Sequence, residues 1–296
     1  MSFERTSDKP NRTLVNMTTV YGDDLRAVDA AVASDTLVEN LAERFDGSEQ
    51  PSYDDHHVRT VVEFLKGVDM LTAPEARLVR PLNRDAVPYD DPSFEARFLY
   101  AIRRQERPRD HLTRLFEVAV ESAESSGDPQ LITKSQLQTD ASRRLSHDIS
   151  WNETKLNMWS RLMSRVGAVT EIDDGVVLAP ARGLVAELLS GFAATHDSTD
   201  LRDALDWIDE WFLPAYASRA GRSVVHRGLA AVLTALERDG VVKFRSMADA
   251  SNEVDLPAGS GSSVDSRTIK SFSVGEVPDR PAYRLPMDAD TRTVQR

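Results

Sequence analysis

With 296 residues the chain has room for two or three small units, each near the size at which a core barely sustains itself, so contacts between units must contribute to stability. It contains no cysteine, which excludes disulfides and thiolate zinc sites, and no apolar run of about 18 residues or more, which excludes a hydrophobic spanning helix. The formal charge of −12 comes from thirty aspartates and eighteen glutamates against thirty arginines and six lysines, a balance that speaks to solubility and partners and not to fold.

Residues 1–22 are polar and unpatterned and are expected to form a disordered tail, with no apolar leader segment; a reducing, cytoplasmic setting is expected. The first unit, 23–90, opens with helical patterns at 23–34 and 37–45. A turn follows at Asp46-Gly47-Ser48, then a helix striped by Val58, Val61, Val62, Leu65 and Val68 at the spacing that buries one face. A hairpin is expected over 71–81.

The second unit, 91–181, has a helix over 92–106 stopped by Pro108, a helix over 110–125, a break at 126–129 and a helix over 134–145. Its last helix is the best marked: Ser150 and Glu153 read as a capping box, Leu156, Trp159, Met163 and Val166 form the apolar stripe, and Gly167 sits where a terminating glycine belongs. Strands at 168–172 and 176–179 then flank Asp173-Asp174-Gly175, where Asp-Gly suits the positive φ of a primed hairpin turn.

The third unit, 182–285, begins with a helix over 183–195. The next follows Ser198, with Leu201, Leu205, Ile208 and Phe212 inward and Asp200 and Asp203 at its positive end. A helix over 224–238 ends before Gly240, and a strand over 241–246 follows. Its partner is either 254–256 or 269–274, because 258–263 is a flexible Gly-Ser stretch. Residues 286–296 are expected to be disordered.

The three units share an ending, a helix followed by a short strand, a turn and a strand closed by proline. The closing segments are Arg77 to Pro81, Val176 to Pro180 and Glu253 to Pro257. Such spacing points to stacked copies of one small fold. On this element order, residues 110–180 and 183–275, and more weakly 24–81, resemble winged helix-turn-helix domains. The fold class expected is therefore mainly α with small β-hairpins, in tandem winged-helix units. The resemblance implies a third helix in the DNA major groove, a wing on the backbone, double-stranded DNA as partner and no catalysis or cofactor, as in a transcription regulator or a subunit of a DNA-processing complex.

Charge supports that reading locally. Between 134 and 166, Lys134, Arg143, Arg144, Lys155, Arg161 and Arg165 outnumber Asp140, Asp148 and Glu153. Between 219 and 245, Arg219, Arg222, Arg227, Arg238, Lys243 and Arg245 outnumber Glu237 and Asp239. Phosphate contacts need such cations. Asn152 and Arg161 suit base edges, and Gln136 and Gln138 on the preceding helix suit phosphate or bases. Residues 171–212 hold ten carboxylates against two arginines, so the acidic 197–210 face is the alternative, a protein-docking surface of a winged-helix scaffold.

Other motifs carry less. Glu153-Thr154-Lys155 matches the E-x-K of a metal nuclease but falls in a helix's first turn, where the pair does not converge. Asp54-Asp55-His56-His57 lacks the i, i+4 ligand spacing and reads as a helix start. Gly259-Ser260-Gly261-Ser262-Ser263 lacks the lysine of a phosphate loop. Trp151, Trp159, Trp207 and Trp211 fall at helical spacing that suits core positions, with Trp151, beside the cap, the exception. The Asp-rich, lysine-poor balance resembles that of salt-in halophilic archaea, the alternative being an acidic protein from a GC-rich genome.

Overall fold

The computed structural model describes residues 20, 22–32, 36–37, 41, 45, 55–72, 77–78, 87–106, 110–126, 130–145, 149–219, 222–246, 252–257 and 266–275. Residues 286–296, the flexible 258–263 stretch and the Pro81 end of the first hairpin lie outside them, as does the expected 1–22 tail except for Val20 and Gly22, which are buried, Gly22 opening a helix. The protein is mainly helical with small antiparallel strand pairs.

One order of elements recurs three times. In the first group α1 (Gly22–Ala31) precedes β1 (Thr36–Leu37), helical residues Leu41 and Phe45, α2 (Asp55–Gly67) and β2 (Arg77–Leu78), and β2 pairs with β1. Leu37, expected to begin a helix, is thus in a strand. The described partner of β2 is β1, which precedes α2; Thr72, within the expected 71–81 hairpin, also stands in a β-bridge.

After α3 (Phe94–Arg103), the second group runs α4 (His111–Glu124), β3 (Leu131–Thr133), α5 (Lys134–Arg144), α6 (Glu153–Arg165), β4 (Thr170–Ile172) and β5 (Gly175–Val177), with sheet order β3-β5-β4. The α6 cap is Asn152 and not Ser150: its side chain accepts from Lys155 N at 3.0 Å. Gly167, at φ 73°, ends the helix as expected. The β4–β5 turn differs, because Ile172 pairs with Gly175, the turn is Asp173-Asp174, and neither aspartate has a positive φ. Gly175 serves β3 instead, since a Cβ there would run into the Ile132 carbonyl.

The third group runs α7 (Arg182–Thr195), an Asp200 to Ser271 bridge, α8 (Leu201–Trp211), a hairpin of β6 (Tyr216–Arg219) and β7 (Arg222–Val225), α9 (Arg227–Arg238), β8 (Val242–Arg245), β9 (Val254–Pro257), β10 (Ser266–Ile269) and β11 (Ser271–Val274). β11 pairs with β8 on one side and reaches Asp200 on the other, while β9 pairs with β10. Segment 200–β11–β8 thus repeats the β3-β5-β4 order. The hairpin β6–β7 takes residues 224–225 from the expected helix, and β9–β10 is an addition within the final strand pair.

α3 is the spindle. It buries Phe94, Ala96, Phe98, Leu99, Tyr100 and Ile102, apolar on too many sides for a surface helix. Phe98 stacks on Phe64 of α2 with centroids 6.4 Å apart, Tyr100 stacks on Trp211 of α8 at 5.7 Å, and the Ile102 carbonyl accepts from Thr113 Oγ1 of α4 at 3.0 Å. Arg97 donates to both carboxylate oxygens of buried Asp29 of α1, at 3.1 and 2.6 Å. The buried apolar side chains of all three groups consequently form one continuous cluster.

The second and third groups also meet directly. Glu121 and Glu124 of α4 accept from Ser218 N and Arg227 N, each at 2.8 Å, and Gly228 lies against the Leu178 backbone where a side chain could not fit.

Candidate nucleic-acid interface

α5 and α6 pack against each other, and their polar residues share the outside of the second group. Thr133 caps α5, its Oγ1 accepting from Gln136 N, which leaves the Gln136 side chain exposed. Arg143 and Arg144 are exposed in the last turn, with Arg143 bonded to the nearly buried Asp140 at 2.6 Å. On α6 the apolar stripe turns Leu156, Trp159, Leu162 and Met163 inward; Trp159 Nε1 donates to the Leu112 carbonyl at 2.9 Å. The opposite face exposes Thr154, Arg161 and Arg165 and half-exposes Asn157.

Other residues expected here have structural partners. Lys134 pairs with Glu171 of β4 at 3.0 Å, and that carboxylate also accepts from Ser160. Gln138 donates to the Trp151 carbonyl at 3.2 Å. Asn152 spends its Oδ1 on the cap. Lys155 turns back to the Ser150 carbonyl at 2.7 Å, and partial burial lowers its pKa. Arg165 lies 3.4 Å from Asp23, with α1 packed against α6. The open face therefore reduces to Gln136, Arg143, Arg144, Thr154, Asn157, Arg161 and Arg165, where Arg143 and Arg165 stay 68% and 63% exposed despite their carboxylate partners. Sequence reading missed Thr154 and Asn157, although both fall off the apolar stripe by helical periodicity. The β4–β5 tip exposes Asp173, Asp174 and Ile172, a side chain 41% exposed.

In the third group the cations divide. Arg219 and Arg222 are cross-strand partners closing the β6–β7 hairpin. Arg227 opens α9 with its Nε buried, in the joint with α4. Arg238, Lys243 and Arg245 are exposed at the other end of α9 and along β8. Arg182 and Arg267, not singled out by the sequence, join them through ion pairs to Asp239 and Glu237 at 2.6 and 2.7 Å.

The acidic 197–210 face is largely committed to the fold. Asp200 pairs with Lys270 at 2.5 Å, Asp203 accepts from Ser198 at 2.6 Å, and Asp206 accepts from the Tyr216 hydroxyl at 2.6 Å. Burial first, then Asp206, raises the Tyr216 pKa. Asp209 accepts from Ala215 N at 2.7 Å. Asp197 and Glu210 remain exposed.

Asp55, His56 and His57 open α2, and His57 meets Asp24 at 3.0 Å; Glu153 and Lys155 share the first turn of α6. Among the described residues no cluster of three metal-ligating side chains occurs, and no helix is long and apolar enough to cross a membrane. Compared with known proteins, the chain matches no protein-family model, no curated protein and no solved structure.

Proposed function

We propose that the chain is a non-catalytic protein of tandem winged helices that binds double-stranded DNA through α5 and α6. The carrying observation is the joint outer face of these helices, where amide and hydroxyl side chains stand among Arg143, Arg144 and Arg161 in a chain of net charge −12. Amides and guanidinium groups suit base edges, and arginine suits phosphate. The sheet order β3-β5-β4, with its first strand between the first two helices and its other two after the third, supports a winged helix, and in that class α6 is the reading helix.

The reading predicts one head in the second group and not two, because the start of α9 is closed against Leu178 and Glu124. Polar base contacts also suit high salt, where the counterion-release component of binding fades.

Fluorescence anisotropy of a labelled duplex tests this. Arg143→Ala, Arg144→Ala and Arg161→Ala together are expected to weaken binding roughly tenfold or more at low salt and to reduce the salt slope by about 3. Unchanged affinity with an unchanged melting temperature would instead favour a docking scaffold. That second reading rests on the β4–β5 tip, where Ile172 stands exposed beside Asp173 and Asp174, side chains that repel phosphate.

A further inference from the structure

The DNA-binding reading raises the question of how the third group would meet the duplex, since its third helix cannot present its N-terminus. Gly228 abuts the Leu178 backbone, Arg227 N donates to Glu124, and the fully buried His226 accepts from Leu229 N at 3.3 Å. Two donors of that first turn are consumed within the protein, and the third belongs to Gly228, which the Leu178 backbone covers, so the turn is closed to a phosphate.

The opposite end of α9 has the reverse character. Arg238 is 71% exposed, and Lys243 and Arg245 point outward from β8 while Val242 is buried on the other face. In register across the pair stand Ser273, opposite Lys243, and Ser271, opposite Arg245. No described carboxylate lies within ion-pairing distance of either cation. Arg182 and Arg267 flank the strip, and among the described residues the ion pairs of these five cations go to Glu237 and Asp239 alone. Gly240 and Val241 donate to the Glu237 and Leu236 carbonyls, which satisfies part of the helix end and softens its negative pole.

We propose that this strip, formed by Arg238, Lys243 and Arg245 with Ser271 and Ser273 between, is a second DNA contact that grips phosphates without reading bases. The inference rests on the DNA-binding reading above. Charge complementarity selects the partner: a concentrated positive strip on an acidic chain attracts a polyanion. Two residues of strand advance about 7 Å. That is of the order of the through-space gap between neighbouring phosphates on one DNA strand, which exceeds the axial rise of about 3.4 Å because the backbone winds round the axis. The strip carries two guanidinium groups and two serines but no amide, and with no reading helix presented beside them its arginines are assigned to phosphate.

Three proteins would be titrated into each of two labelled duplexes of different sequence across a salt series: the unchanged chain, the Arg143→Ala, Arg144→Ala, Arg161→Ala variant, and an Arg238→Ala, Lys243→Ala, Arg245→Ala variant. The last is expected to bind roughly tenfold more weakly at low salt with a slope smaller by about 3, and to keep its sequence preference. Because the chain has no cysteine, Ser273→Cys carries a photocrosslinker at a single site, and it is expected to capture the duplex. If the α5–α6 variant loses binding while the strip variant binds normally and Ser273→Cys captures nothing, this inference fails and the DNA-binding reading stands. If the unchanged chain binds no duplex at any salt, both fall together.

Discussion

His226 caps α9 with a ring nitrogen, an uncommon choice that makes the cap titratable. Burial pushes its pKa down to about 4 from the usual 6.5, with the Pro214 carbonyl pulling weakly the other way. The neutral ring accepts the Leu229 N–H; the protonated ring cannot. The unfolded chain takes up this proton at higher pH than the folded one, so the stabilisation is complete above pH 6.5 and is lost as pH falls toward 4, by about 3 kcal/mol in all. His226→Asn, which retains a side-chain acceptor, is expected to flatten the melting-temperature profile over that window; an unaltered profile would remove His226 as the cause. Gly228 is the complementary case. Gly228→Ala forces a methyl into the Leu178 carbonyl and is expected to destabilise by about 1–3 kcal/mol. Thermal unfolding would reveal it, and a melting temperature equal to the parent's would contradict the tight joint.

Among elements, α3 shows how one helix organises three groups. Its Arg97 to Asp29 pair is bidentate, and Asp29 is only 2% exposed, so removing the arginine takes two charge-assisted hydrogen bonds from a buried carboxylate. Arg97→Ala is therefore expected to cost about 3–5 kcal/mol, read as a lower urea midpoint. Double replacement with Asp29→Asn should recover part of the loss, and an additive loss would show that the two residues do not act as a pair. Helices with a sustained apolar stripe, such as α2 and α6, were legible from periodicity. β3 was not: Leu131-Ile132-Thr133 is a three-residue strand that exists because β5 lies beside it. The β6–β7 hairpin escaped notice because Val224 and Val225 continue the α9 stripe by spacing, while pairing with Ala217 and Tyr216 assigns them to a strand.

At the scale of the molecule, one core joins segments that the sequence presents as separate units, and this decides which cations are available. Arg227 and Arg238 differ by eleven positions on one helix, yet one is in a joint and the other faces water. The recurring Pro-closed strand was only partly a true repeat. Val176 to Pro180 includes most of the last strand of its group, whereas Val254 to Pro257 belongs to the added hairpin, and β11 occupies the equivalent place. The sequence by itself determined the helices with a sustained apolar stripe, their inward faces, the glycine ends at Gly167 and Gly240, and the enrichment of cations in two stretches, because these depend on residues within a few positions of one another. Only the tertiary structure decided strand partners, the spindle role of α3, the closing of α9 and the commitment of the acidic 197–210 face, because each depends on groups brought together from distant parts of the chain.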